Sequence, residues 1–172
     1  MITVDVFGGL GNQMFQYALG RHLSLKNGVP LTLRHVDVGA FSKRVYVLGC
    51  FKLAPEVPVK SNIKYQISKF SIMLKRIFTF VAQEQLVQEK GFPFDPAILD
   101  LRGKNIHLHG YWQSEKYFKD IRETFLEDFT FIKPLSRRNQ ELLSEIQKST
   151  SVSVHVRRGD YVIDPQTNKF HG

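Results

Sequence analysis

Residues Thr3 to Phe7 form a short β-rich run that Gly8, Gly9 and Gly11 interrupt at once. No other stretch constrains the fold as strongly. From Gln13 the apolar spacing becomes helical, with Met14, Ala18, Leu19, His22 and Leu23 on one face and Gly28 closing the pattern. Pro30-Leu31-Thr32-Leu33 then reads as a second strand. Strand, glycine turn, helix, strand is the opening of a parallel α/β unit.

The remaining segments extend that pattern. Ile63, Ile67, Phe70, Leu74, Ile77, Phe78 and Val81 repeat at helical spacing, which predicts an amphipathic helix with a lysine-bearing polar face. Gly91 to Pro96 holds two prolines among phenylalanines and reads as loop. Ile106 to His109 is a short alternating strand, and Ser114 is placed to cap a helix running to about Leu126. Pro134 marks a boundary. Beyond it, Ser136 to Lys148 predicts a helix with Leu142, Leu143 and Ile146 facing inward. Val152-Ser153-Val154-His155-Val156 alternates as a strand that stops at Arg157-Arg158-Gly159-Asp160. A sheet opened there is not completed, so the sequence is expected to hold one lobe and the start of another.

Composition narrows the class. One cysteine, Cys50, excludes an intrachain disulfide framework and reads as a buried small hydrophobe. No apolar run reaches about 18 residues, so no membrane-spanning helix is expected. The start lacks the basic and apolar regions of a signal peptide. The 14 phenylalanines supply material for a sizeable core. The net charge of +8 points to anionic partners: nucleic acid, phospholipid or a phosphorylated substrate. Lys60, Lys64, Lys69, Lys75 and Arg76 form a run without acids, equally compatible with a solvated face.

Three constellations carry chemistry. In Gly8-Gly9-Leu10-Gly11-Asn12-Gln13, glycines after a strand allow close backbone approach, and the following helix offers N–H groups to an anion. A dinucleotide fingerprint fails because Met14 stands where its third glycine would allow close helix–strand packing, and no Gly-Lys-Ser/Thr follows for a P-loop. Asn12 and Gln13 are amides able to bind a sugar or a base. In His155-Val156-Arg157-Arg158-Gly159-Asp160-Tyr161, two arginines beyond a strand's carboxyl end present planar forks suited to phosphate oxygens. Gly110-Tyr111-Trp112-Gln113 reads either as a sugar-stacking platform or as core packing. His107 and His109 can chelate a metal from one strand face, but no third ligand follows at recognisable spacing. No Asp-x-Asp is present to hold a divalent ion on a diphosphate.

Together, Gly8 to Tyr17, His155 to Tyr161, and Gly110 to Phe118 between them resemble the bacterial α-1,2-fucosyltransferases of glycosyltransferase family 11. The resemblance spans residues 2 to 172. It implies transfer of L-fucose from GDP-fucose to the 2-hydroxyl of a galactose, with inversion and without an essential metal or other cofactor. It also implies an α/β fold of GT-B type. Residues 1–132 would be an N-terminal Rossmann-like lobe on the acceptor side, and 133–172 the beginning of the GDP-fucose-binding lobe. On this resemblance Arg157 and Arg158 match the basic pair that grips the donor diphosphate. His155 and Asp160 match flanking positions that support that loop or contact the donor. Gly9, Gly11, Asn12 and Gln13 match the loop facing the donor across the cleft. The arginine pair fits the chemistry, because fixed positive charge stabilises a diphosphate leaving group. Asp160 is the motif carboxylate available as base, and orienting Arg157 or Arg158 is an equal reading.

Two other functions compete. A nucleic-acid-binding module would use the positive charge, and its binding would weaken steeply with salt. A peripheral membrane module would use residues 60–81, which is compatible with a cytoplasmic transferase acting on a lipid-linked glycan.

Overall fold

The computed structural model describes residues 1–37, 45–54, 58–64 and 84–156, with only the backbone described at 37 and 60–64. Two compact units divide the chain, Met1–Lys133 and Pro134–Gly172.

The first unit is built on a sheet whose described strands are β1 (Ile2–Val6), β2 (Leu31–Asp37), β3 (Val59–Lys64), β4 (Gln85–Gln88) and β5 (Ile106–His109). Their spatial order is β3-β2-β1-β5-β4, and every pairing is parallel. Residues 2, 4 and 6 of β1 alternate with 3 and 5, so Ile2 and Val4 share a face with their partners Leu31, Leu33, Ile106 and Leu108. All six are 0–1% exposed and form the core with Tyr17, Leu19 and Leu23 of α1 (Leu10–Asn27).

Gly20 lets α1 sit this close. A Cβ there would run into Val4, and into Leu31 Cδ1 at 2.9 Å. The close helix–strand packing that a dinucleotide fingerprint assigns to its third glycine is here performed six residues after Met14. The end of α1 is closed by the N–H groups of Gly28 and Val29, which donate to Leu25 and Ser24.

A short helix, α2 (Arg122–Asp128), is fastened to α1 by one buried carboxylate. The Tyr17 hydroxyl donates to Asp128 at 2.7 Å, and Arg21 Nε donates to the same oxygen at 3.1 Å. Burial and that hydrogen bond hold the Tyr17 phenol above its ordinary range. Around them runs a chain of rings from Phe51 through Phe129 and Phe125 to Phe118 and Phe15, with centroids 4.5 to 5.7 Å apart. The expected phenylalanine-rich core is thus present, although Phe92 and Phe131 are exposed.

Five expectations are corrected. Ile63 and Lys64 do not begin a helix but end β3, where they pair with Val36 and Asp37; residues 65–83 lie outside the described residues. The helix from Ser114 to Leu126 is broken. Ser114 caps only a 3-10 turn at Glu115–Tyr117, a second turn follows at Lys119–Ile121, and α2 comes after it. The break lets Tyr117 turn inward, where its carbonyl lies 2.6 Å from His22 Nδ1 and its hydroxyl accepts from Asp95 N. Cys50 is exposed, because Leu48 is the residue of its 3-10 turn that enters the core.

The fourth and fifth corrections are in the second unit. Its helix α3 (Arg137–Gln147) forms as expected, with Ser136 accepting from Asn139 N, but Leu142, Leu143 and Ile146 are 41–46% exposed rather than buried. Residues 151–156 alternate yet form no strand, and Val152, Val154 and Val156 are 73–85% exposed. Alternation marks a strand only where a neighbour supplies the ladder. Among the described residues no helix is long and apolar enough to cross a membrane.

Candidate functional site

In an open parallel sheet the ligand crevice lies beyond the carboxyl ends of the strands, where the strand order reverses. Here β1 leads outward to β2 and β3, while its other neighbour β5 is reached later in the chain. The loops leaving β1 and β5, Phe7–Gly9 and Gly110–Gln113, therefore lie side by side at the switch point. Two of the sequence constellations meet there.

The amides of α1 hold them together. Gln13 is fully buried; its Nε2 donates to the carbonyls of Gly8 and Val45, both at 2.9 Å, and its Oε1 accepts from Val47 N. Gln16, also fully buried, accepts from Phe7 N at 3.0 Å and donates to the Gly110 carbonyl at 3.1 Å. Each side chain has a donor and an acceptor, and each spends them on backbone groups that the sheet leaves unpaired. Gln13 thus shapes the glycine loop from beneath. Asn12 is half-buried at the mouth, and its Oδ1 accepts from Gln113 Nε2 at 2.6 Å. Gly9 is the N-cap of α1 without a side-chain cap, and open space surrounds the position a Cβ would take on Gly9 or Gly11. This rim is what a ligand would meet.

The β5 loop is set by Glu89, the residue after β4. Its carboxylate accepts from Tyr111 N at 2.6 Å and Trp112 N at 2.9 Å. Gly110 makes room for it, since a Cβ there would collide with Glu89 and with the Trp112 ring. Trp112 is held at φ 58°, a left-handed conformation that costs a non-glycine residue about 1–3 kcal/mol. Its ring is 1% exposed against Tyr117, and its indole N–H is buried without a partner among the described residues. Core packing is therefore the reading for Trp112. Half-buried Tyr111 instead meets Phe7 edge-on, with centroids 4.9 Å apart. Beside this loop, along β4, lies a cavity of about 560 Å³ lined by Leu86, Phe94, Trp112 and Tyr117.

Beneath the rim, on the sheet face away from α1, is a buried charged cluster. Asp5 of β1 is 0% exposed. Arg34 of β2 donates to both its oxygens, from Nε at 2.6 Å and Nη2 at 2.9 Å. His107 Nε2 lies 3.0 Å from Oδ1, and His109 Nδ1 lies 2.7 Å from Oδ2. Burial alone would raise the Asp5 carboxyl, but the hydrogen bonds from His107, His109 and Arg34 outweigh it and hold the group far below the usual carboxylate range. The two histidines that read as a chelating pair thus share the Asp5 carboxylate, and His107 also meets Arg34. Among the described residues no group of His, Cys, Asp and Glu is arranged to hold a metal ion.

His155 lies exposed in the second unit, while Arg157, Arg158 and Asp160 fall outside the described residues. Asp5, Arg34, Gln16 and Glu89 are site residues that the motifs did not single out. A signal existed for two of them: a charged residue inside the apolar runs of β1 and β2 is rarely buried unless paired.

The family model described as glycosyl transferase family 11 matches residues 1–171. The chain belongs to that family. Membership confirms the resemblance read from the three motifs. Among curated relatives, an alpha-1,2-colitosyltransferase of Escherichia coli is 32% identical over 100% of this chain and 59% of its own length. The O-antigen biosynthesis glycosyltransferase WbnK of the same organism is 27% identical over 96% of this chain and 61% of its own. A galactoside alpha-(1,2)-fucosyltransferase 2 of Hylobates lar is 26% identical over 94% and 42%. The chain therefore spans about three fifths or less of the length of these family 11 relatives. No solved structure matches it.

Proposed function

We propose that the chain carries the acceptor-side lobe of a GT-B enzyme that moves L-fucose from GDP-fucose to the 2-hydroxyl of a galactoside with inversion. The observation that carries this reading is the meeting of the glycine loop and the Gly110–Gln113 loop at the carboxyl ends of β1 and β5. Family membership supports it. Asn12, Gln113 and Tyr111 supply what a sugar needs at such a rim: amides for hydroxyls and an aromatic face for the ring's C–H surface. The donor end falls to Arg157 and Arg158, with His155 and Asp160 flanking them; fixed guanidinium charge takes the place of a metal on the departing diphosphate. Residues 60–81 supply the basic margin that would bring the enzyme to an anionic, glycolipid-bearing membrane surface on the cytoplasmic side.

The test is transfer from GDP-fucose to a β-galactoside by the complete natural protein in excess EDTA, with the linkage read by NMR. A 2-O-fucosylated product is expected. Arg157→Ala or Arg158→Ala should weaken GDP binding by about 1.5–3 kcal/mol. Activity that disappears in EDTA and returns with Mn²⁺ would overturn the metal-free reading. A product made only from a colitose donor would reassign the sugar.

A further inference from the structure

Resting on the transferase reading above, we propose that Glu89 is the positioning residue of the acceptor site, its carboxylate holding Tyr111 where the galactoside meets the β5 loop. Glu89 follows β4 directly, and its own N–H donates to the His109 carbonyl at 2.9 Å, so the parallel ladder fixes its backbone. Its side chain reaches across to the β5 loop. There Oε2 accepts from Tyr111 N at 2.6 Å and Oε1 from Trp112 N at 2.9 Å. Two successive N–H groups converge on one acceptor where the chain forms a nest, and left-handed Trp112 at φ 58° supplies that geometry. Such a concavity binds an anion, and here the chain fills it with its own carboxylate. One residue earlier, the Gly110 carbonyl accepts from Gln16 Nε2 at 3.1 Å. The Trp112 carbonyl accepts from Ser114 N at 2.8 Å. Residues 110–112 are thus pinned from both β4 and α1.

The clamp acts on backbone and leaves the Tyr111 side chain uncommitted. Its ring is half-buried and edge-on to Phe7, and its hydroxyl has no hydrogen-bond partner among the described residues. A ring face and a hydroxyl are what a sugar's C–H surface and hydroxyls take. Trp112 is committed instead to the core beside Tyr117. The turn between the two carries a left-handed strain that it would relax if released, and the Glu89 carboxylate is the charged group that opposes this. Room for relaxation exists, because Glu89 and Trp112 both line the cavity of about 560 Å³ along β4. Once the turn relaxes, the galactoside finds the competent platform in only a fraction of molecules, and its apparent affinity falls by that fraction. The donor motif at Arg157 and Arg158 lies elsewhere in the chain and keeps its affinity.

The experiment compares the complete natural protein with its Glu89→Gln variant, reading kcat and KM for methyl β-D-galactoside together with the GDP dissociation constant. Glutamine keeps the shape but loses the charge, and it sets an amide donor against one of the two N–H groups. The acceptor KM should rise about 10- to 100-fold. The larger part of the effect should fall in KM rather than kcat, and the GDP dissociation constant should stay at its wild-type value. An unchanged acceptor KM overturns the proposal. So does an equal rise in the acceptor KM and the GDP dissociation constant, which is what general loosening of the fold would give. Should the variant not fold, amide hydrogen exchange is read on the wild-type protein. Methyl β-D-galactoside should slow exchange at Tyr111 and Trp112, whereas GDP should leave it unmoved. Exchange there that ignores the galactoside overturns the proposal. If the wild-type protein transfers no sugar at all, the transferase reading fails; if it transfers and the variant keeps the wild-type acceptor KM, only the positioning assignment fails.

Discussion

At the scale of single residues, the largest electrostatic commitment described is Asp5. An unfolded aspartate titrates near about 4, whereas the folded carboxyl is held far lower by His107, His109 and Arg34 against the upward push of burial. The unfolded chain therefore binds the proton first as pH falls. Stability from this group is complete above about pH 4 and is lost as acid drives the pH down toward the folded value. Asp5→Asn should destabilise by about 2–4 kcal/mol at neutral pH, because it leaves the half-buried Arg34 guanidinium without its counter-charge. Urea denaturation from neutral pH to about pH 3 checks both points: the wild-type curve should fall toward that of Asp5→Asn as acid is added. Parallel curves would mean that the cluster does not hold Asp5 in its charged form. The same scale shows why half the site could not be read in advance. The glycines and amides of Gly8–Gln13 form a local pattern, but Glu89 acts on Tyr111 and Trp112 across 22 and 23 residues of chain. Nothing near Glu89 in sequence marks that partnership.

At the scale of elements, α1 was legible from Gln13 to its closing glycine, because apolar spacing and that glycine are both local signals, whereas its first turn, Leu10–Asn12, was hidden in the glycine run. β1, β2 and β5 were legible for the same reason. β3 and the short turns before α2 were not. Residues 59–64 become a strand because β2 offers a parallel edge, and Glu115–Asp128 breaks because Tyr117 must reach His22 and Asp95. Those are tertiary demands that override local spacing. The docking of α1 gives a direct test. Gly20→Ala gains about 1 kcal/mol of helix propensity, but its methyl meets Val4 and Leu31, two branched side chains seated in the sheet. Overpacking costs about 1–3 kcal/mol, so the substitution should lower stability in urea. Gly11→Ala, in the same helix with open space around the added methyl, should instead be neutral or stabilising. Equal effects at the two positions would show that α1 does not press on the sheet at Gly20.

At the scale of the whole molecule, the chain belongs to family 11, and the switch-point geometry brings together the loops beyond β1 and β5. The donor-side motif remains a reading of sequence, since a guanidinium pair announces its chemistry by residue type wherever the chain carries it. The β1–β5 crevice is the part whose geometry is described, and the proposed acceptor site lies there. The most direct measurement is a chemical-shift titration of the isotopically labelled chain with methyl β-D-galactoside. Shifts confined to the Asn12 and Gln113 amides and the Tyr111 ring are the expected result. A galactoside that leaves those three residues unmoved while shifting signals in the 134–156 segment would contradict the assignment of the acceptor to the β1–β5 crevice.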